Sequence, residues 1–196
     1  MNKTTIEVYD SIAHRYADTH WTTDFWSRQY NDFENLLKGK RILDSGSGAG
    51  RDTKHFISKG YEVESIDLSK GMIEEARKRV PEGNFMRMDM TDLKFEDSSF
   101  DGIWCCASLL HLNEAEAEKA ISEFARVLKK GGILFVSVKE GDGGADNEYI
   151  DGIGRYFRSY GTAGIVERVS AHFKIIDAYT HSYDGKEVWI SVLGEK

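Results

Sequence analysis

The chain has 196 residues, 40% of them apolar, 12% aromatic and 30% charged, and 26 Lys+Arg against 33 Asp+Glu leave a net charge of −7. That length and apolar share fit one domain able to bury its own core, and the acidic balance lacks the broad positive field of a duplex-DNA binder. The longest apolar runs, Ile103–Leu110 and Ile133–Val138, fall short of the roughly 20 residues of a membrane-spanning helix, and the polar N-terminus does not read as a secretory signal. The two cysteines, Cys105 and Cys106, are adjacent in an apolar run and read as reduced packing residues of a cytoplasmic protein rather than a disulfide or metal pair.

In chain order, the first forty residues predict two amphipathic helices. Ile6, Tyr9, Ala13 and Tyr16 share one stripe, Trp26, Tyr30, Phe33 and Leu37 the other, and Gly39 is the expected stop. Strands then alternate with helices, the pattern of βαβ units around a mostly parallel sheet. Arg41–Ser45 is the first strand, followed by a Gly-rich turn and a helix to about Lys59. Tyr61–Ile66 is the second, and a helix capped by Ser69 runs from it until Pro81. Phe85–Met88 and Phe100–Cys106 follow. Asn113 opens a helix with Ala117, Ala120, Ile121, Phe124 and Leu128 on one face; Lys129 and Lys130 are expected in its last turn and Gly131 at its end. Gly132–Val138 is the fifth strand, Gly141–Gly154 a polar loop and Thr162–Val169 a helix. Phe173–Tyr179 and Lys186–Leu193 close the chain as an antiparallel pair turning at Tyr183-Asp184-Gly185. The expected fold is α/β: a Rossmann-like, doubly wound, seven-stranded mostly parallel sheet with an antiparallel C-terminal hairpin strand and helices on both faces.

In such sheets ligands bind outside the carboxyl ends of the strands. Polar and small residues gather there: Asp44 with the Gly46/Gly48/Gly50 turn, then Asp67, Asp89, Ser108–His111 and Lys139–Glu140. Alternating glycines let a backbone approach a ligand closely and aim free N–H groups at it. The spacing is not the dinucleotide fingerprint, whose third glycine would fall at Arg51. Asp67, about twenty residues on, stands where a carboxylate can accept from both hydroxyls of a ribose. Asp89 can accept from an exocyclic adenine amine while Met90 packs on the ring.

The segments ILDSGSGAGRDTKHF, YEVESIDLSKGMIEEARKR, FMRMDM, SFDGIWCCASLLHL and ARVLKKGGILFVSV together resemble class I S-adenosylmethionine-dependent methyltransferases, most of all the small branch with the ubiquinone/menaquinone-type enzymes. The likeness covers residues 40–138. It implies that Asp44, Gly46, Ser47 and Gly48 hold the methionyl part of S-adenosylmethionine, Asp67 and Leu68 the ribose, and Asp89 and Met90 the adenine. Cys106 joins this set, and Tyr9 and Tyr16 close over the cofactor from a lid. Residues 1–196 are then one methyltransferase domain, with a helical lid (1–39), a cofactor core (40–138) and an acceptor loop with C-terminal strands (139–196). Two departures stand out: Ser47 where such enzymes often carry Cys, and Lys130 where a Pro usually precedes the two glycines.

A methyl acceptor needs a base only if it arrives protonated. His111, just past the fourth strand, is the expected catalytic base, with a backbone-bonded structural histidine as the plain alternative. Acceptor contacts are expected from Trp21, Glu140, Tyr149, Arg155, Tyr156 and Tyr160, with Trp26 and Arg158 as further candidates; Trp104 and Trp189 read as core. The expected partner is a small-molecule acceptor, with no DNA, membrane or metal, in a monomer or homodimer, and S-adenosylhomocysteine as the cofactor product. One rival is a tRNA-modifying methyltransferase, from a faint likeness of Gly154–Tyr160 to a loop of wobble-uridine enzymes, against which the net acidity counts. Others are a nicotinamide-dependent oxidoreductase and a cofactor-binding module without activity.

Overall fold

The computed structural model describes residues 3–182, 185 and 187–196. Two helices come first, α1 (Lys3–Thr19) and α2 (Ser27–Leu36), the second entered through a 3-10 turn at Asp24–Trp26. Then follow β1 (Arg41–Ser45), α3 (Arg51–Ser58), β2 (Glu62–Asp67), α4 (Lys70–Arg79), β3 (Asn84–Arg87), β4 (Phe100–Cys106), α5 (Glu114–Val127) and β5 (Leu128–Lys139). The chain ends with β6 (Asn147–Ile150), β7 (Tyr156–Ser159), α6 (Thr162–Ser170), β8 (Lys174–Ser182) and β9 (Val188–Glu195). Seven strands form one sheet in the order β3-β2-β1-β4-β5-β9-β8, with β9 antiparallel to both its neighbours and the other pairs parallel. This is the expected architecture. The strand order reverses between β1 and β4, which opens a crevice at their carboxyl ends.

Alternation along the central strands fills two cores. Leu43, Ile103, Cys105, Leu134 and Val136 face α5 and α6, whereas Ile42, Trp104, Ile133 and Phe135 face α2 and α3. Asn113 caps α5 as expected: its side chain accepts the Glu116 N–H while Glu116 accepts the Asn113 N–H. Ser69 caps α4 by accepting from Met72. Among the described residues no helix is long and apolar enough to cross a membrane.

Several boundaries differ from expectation. α2 ends at Leu36 because Leu37 is already extended, so Gly39 is not its stop. Gly39 is needed for space: a Cβ there would lie 2.2 Å from the Asp101 carboxyl carbon. α5 ends at Val127, and Lys129 and Lys130 belong to β5; Arg126 is the cation of the last turn. Lys129 pairs instead with Asp101 at 2.8 Å. Residues 141–154 are not simply a loop, since β6 and β7 form a separate two-stranded hairpin. Asp151 organises its turn by accepting the Ile153 and Arg155 N–H groups. Of the expected turn between the last strands, Tyr183 and Asp184 lie outside the described residues.

Gly102 lets α2 press on the sheet, since a Cβ there would lie 2.6 Å from Leu37 Cδ2 and 2.7 Å from Phe33 Cζ. Phe33 is fully buried and cannot give way. Gly102→Ala should therefore cost about 1–3 kcal/mol, read as a lower urea midpoint with an unchanged slope.

Candidate active site

The turn after β1 is pinned by β2: the Gly46 and Ser47 N–H groups both donate to the Ile66 carbonyl, at 2.8 and 2.9 Å. Gly46 has φ +80 and Ser108 lies where its Cβ would be, 2.2 Å away, so no larger residue fits between β1 and the segment after β4. The Gly48 N–H donates to Asp67 Oδ2 at 2.9 Å and the Ser69 N–H to Oδ1 at 2.8 Å. Each oxygen of Asp67 keeps capacity for a further donor. Burial pushes this carboxyl above the usual range, against the pull of those backbone donors. Asp89, past the end of β3, is oriented by the Thr91 N–H at 2.8 Å.

These groups wall a narrow cavity of about 110 Å³ outside the strand ends. Tyr9, Tyr16, Gly46, Ser47, Gly48, Asp67, Leu68, Asp89, Met90, Cys106 and His111 all line it, so these expected residues do converge. Asp44 does not reach it. It is 1% exposed, accepts the Thr53 hydroxyl at 2.6 Å and is pushed up to about 8 by burial and by the nearby charge of Asp52. Its place is under the floor of the site.

Sequence reasoning missed Arg51. Its guanidinium grips Asp52 through two bonds, Nε to Oδ1 at 2.6 Å and Nη2 to Oδ2 at 2.9 Å. Tyr30 and the Trp104 indole also donate to Asp52. Burial alone would raise the Asp52 carboxyl, but Arg51 and these donors hold it below the ordinary range. The available signal was an Arg-Asp pair opening a helix straight after the Gly turn.

A second, wider cavity of about 530 Å³ adjoins the first, and Tyr9, Tyr16, His20, Arg51, Ala107 and His111 line both. Its remaining walls include Phe25, Trp26, Phe157, Trp189, Lys139, Glu187 and Arg155. Of the acceptor contacts expected from sequence, Arg155 is here, while Trp21 lines the first cavity instead. Tyr149 stacks on Phe157, its direct partner across the β6–β7 pair, with centroids 5.3 Å apart, and lines neither cavity. Tyr160 is fully buried between Arg158 and Arg168, and Glu140 is tied by its backbone to Val188 and Tyr160. Arg158 is consumed by Asp146 and Glu148. Tyr156 lines neither cavity and meets His111 and Thr5 through its backbone. Trp189, expected in the core, is half-buried on the cavity wall beside Trp26.

His111 is 4% exposed. Its Nδ1 lies 2.7 Å from the Tyr156 carbonyl, an oxygen that can only accept, so Nδ1 carries the proton. Nε2 is then the acceptor, and the Tyr9 hydroxyl donates to it at 2.8 Å. Arg155 Nη1 donates to the same Tyr9 oxygen at 3.2 Å. Burial pushes the imidazole down to about 4. Helix α1 is held over both cavities by several side chains, among them His14 on Glu75 and Asp18 on Arg79. Besides Tyr9, Asp10 accepts the Ser69 hydroxyl and the Gly71 N–H, and Thr5 accepts the Tyr156 N–H.

Comparison with known proteins fits this geometry. A family model described as a methyltransferase domain matches residues 43–136. The demethylmenaquinone methyltransferase of Renibacterium salmoninarum is 33% identical over 135 residues, 66% of this chain and 56% of that protein. The putative methyltransferase YqeM of Bacillus subtilis is 31% identical over 138 residues, 67% of this chain and 55% of its own length. The chain thus spans little more than half the length of the curated relatives it matches. In fold it is similar to a Burkholderia thailandensis 1,6-didemethyltoxoflavin-N1-methyltransferase, solved with 1,6-didemethyltoxoflavin and S-adenosylhomocysteine. The TM-score is 0.83 at 21% identity, over 98% of this chain and 87% of that one. Residues 43–136 thus match a methyltransferase domain, and the chain carries the fold seen in S-adenosylmethionine-dependent methyltransferases.

Proposed function

We propose that the protein transfers a methyl group from S-adenosylmethionine, held in the narrow cavity, to a small-molecule acceptor in the wider one. The observation that carries this reading is the shared wall: two cavities of different character meet at Tyr9, Arg51 and His111, outside the ends of β1 and β4. The residues of the first suit the cofactor. The open space over Gly48, where a Cβ would meet nothing within 4 Å, and the Arg51 guanidinium suit its methionyl end, the two Asp67 oxygens its ribose hydroxyls, and Asp89 with Met90 its adenine. When bound, the cofactor supplies an already electrophilic sulfonium methyl, so the hard chemistry is its own.

What the chain adds is position, dryness and a place for a proton. Alignment of the acceptor atom with the methyl at about 3–3.5 Å removes several kcal/mol of barrier. Aromatic faces of Phe25, Trp26, Phe157 and Trp189 suit a flat acceptor. The His111 Nε2 lone pair is a basic site on the shared wall. The cations near the Gly154–Tyr160 segment favour a small molecule over RNA, because Arg155 is paired with Asp151 and Arg158 with Asp146 and Glu148. A phosphate backbone needs unpaired cations.

Asp67→Ala removes both ribose acceptors. It should weaken S-adenosylmethionine binding about tenfold or more, since a charge-assisted hydrogen bond contributes roughly 1.5–3 kcal/mol. Titration calorimetry on the folded variant reads this, and an unchanged affinity would refute the assignment. His111 gives a second expectation. Its folded value of about 4 lies below the ordinary 6.5, so between these values the unfolded chain binds more protons. The stability tied to neutral His111 is present above pH 6.5 and lost as pH falls through 4, up to about 3 kcal/mol. NMR titration should find this ring neutral from pH 8 to near pH 4. Because His181 is likewise held down to about 4 by burial, the loss of urea stability on acidification should shrink, not vanish, in His111→Gln.

A further inference from the structure

The bond that joins Tyr9 to His111 has a direction, and that direction implies a route for a proton. With Nδ1–H committed to the Tyr156 carbonyl, His111 presents a bare Nε2 lone pair. It does not present it to open space, because the Tyr9 hydroxyl occupies it at 2.8 Å. A hydroxyl has one proton to give and two lone pairs to offer. The proton goes to His111 and one lone pair takes Arg155 Nη1. One lone pair of Tyr9 Oη remains, on a residue that lines both cavities.

We propose that Tyr9 is the catalytic group that meets the acceptor's proton, relaying it to His111, and that the acceptor is therefore methylated at an atom bearing a dissociable O–H or N–H. This rests on the methyl-transfer reading above. As the acceptor O or N forms its bond to the methyl carbon, its X–H bond breaks toward Tyr9 Oη, and the Tyr9 O–H bond breaks toward His111 Nε2. The electron pair of the methyl–sulfur bond stays on sulfur, and the proton ends on the imidazole, to be released to solvent later.

The surroundings suit each part. Tyr9 is not a ready-made phenolate, because burial pushes its hydroxyl well above 10 despite the nearby Arg155. It can therefore donate and accept in one motion. Arg155 steadies negative charge arising on Oη and is itself held by Asp151, through bonds to both its backbone N–H and its guanidinium. The charged groups facing His111 are Arg155, which disfavours an imidazolium, and Asp151, which favours one. Phe157 packs on the ring at 4.6 Å and brings no charge. Because Tyr9 lies on α1, the base is connected to the acceptor only while α1 is seated. A direct base would instead need Tyr9 to leave Nε2.

The test uses the whole protein, first saturated with S-adenosylhomocysteine by calorimetric titration. Failure at that step would count against methyl transfer as the function, not against the relay alone. Two probes are then titrated, 4-nitrophenol and its methyl ether 4-nitroanisole, at a pH where the free phenol keeps its proton. We expect the phenol to bind about tenfold more tightly, as one added hydrogen bond in a buried site implies. In Tyr9→Phe that advantage should fall to about twofold or less. Equal binding of the two probes by the wild type, binding of neither, or an undiminished advantage in Tyr9→Phe would each overturn the proposal. Should that variant fail to fold, nitrogen-15 spectra of histidine-labelled wild type decide. The proposal requires a protonated Nδ1 and bare Nε2 in His111, and the opposite tautomer or an imidazolium at neutral pH would end it.

Discussion

Parallel neighbours must be joined by crossovers, and β1 sends its crossover to one side while β4 lies on the other. Among the described residues no crossover passes between their carboxyl ends. The site depends on that constraint. The Gly46 and Ser47 N–H groups lean back to Ile66, Ser108 fills the space a side chain at 46 would take, and Asp67 receives the next N–H along. The turn is thus already fixed by its own bonds, so little ordering cost is left for the moment of binding.

Two buried carboxylates lie under this surface with different fates. Asp52 collects Arg51, Tyr30 and Trp104 and stays ionised, whereas Asp44 has the Thr53 hydroxyl and is pushed up to about 8 by burial and the Asp52 charge. The donor set decides which carries the charge. Asp52 also locks α2, α3 and β4 together, and it holds Arg51 at the wall between the cavities. Removing one partner from such a buried pair typically costs about 3–5 kcal/mol. This buried pair therefore also positions a cation for the site.

Features set by local backbone chemistry were legible in the sequence. The Gly46/Gly48 turn, Asp67 at the end of a β-branched run, the Ser69 and Asn113 caps and the strand pattern all come from short-range rules. The sheet order and the convergence of Asp67, Asp89 and His111 follow from these. Asp44 was harder: strand alternation puts it inside, and its proximity to the glycines misled. The far wall was least legible. Tyr149, Tyr156 and Tyr160 share a segment with Arg155, yet the β6–β7 register sets Tyr149 against Phe157, and Tyr160, just past β7, bridges to Glu140 and is buried. Trp189 alternates with apolar neighbours as a core residue would, but nothing local reveals that the sheet ends in a hollow there. Lys129 and Lys130 suited a helix end by charge, but the flanking Leu128 pairs with Phe100 and Ile133 with Gly102 and Glu195, which draws them into β5 instead.

Helix α1 is fastened to α4 through Asp10, to β7 through Thr5 and to the turn after β4 through Tyr9. Tyr9 and Tyr16 face both hollows from this one rod, so peeling it back bares the two together. If the narrow hollow holds the cofactor and the wider one the acceptor, as proposed above, both exchange past a single gate. The tighter-held of the two molecules sets how long the other stays enclosed, and a spent pair can be replaced in one opening.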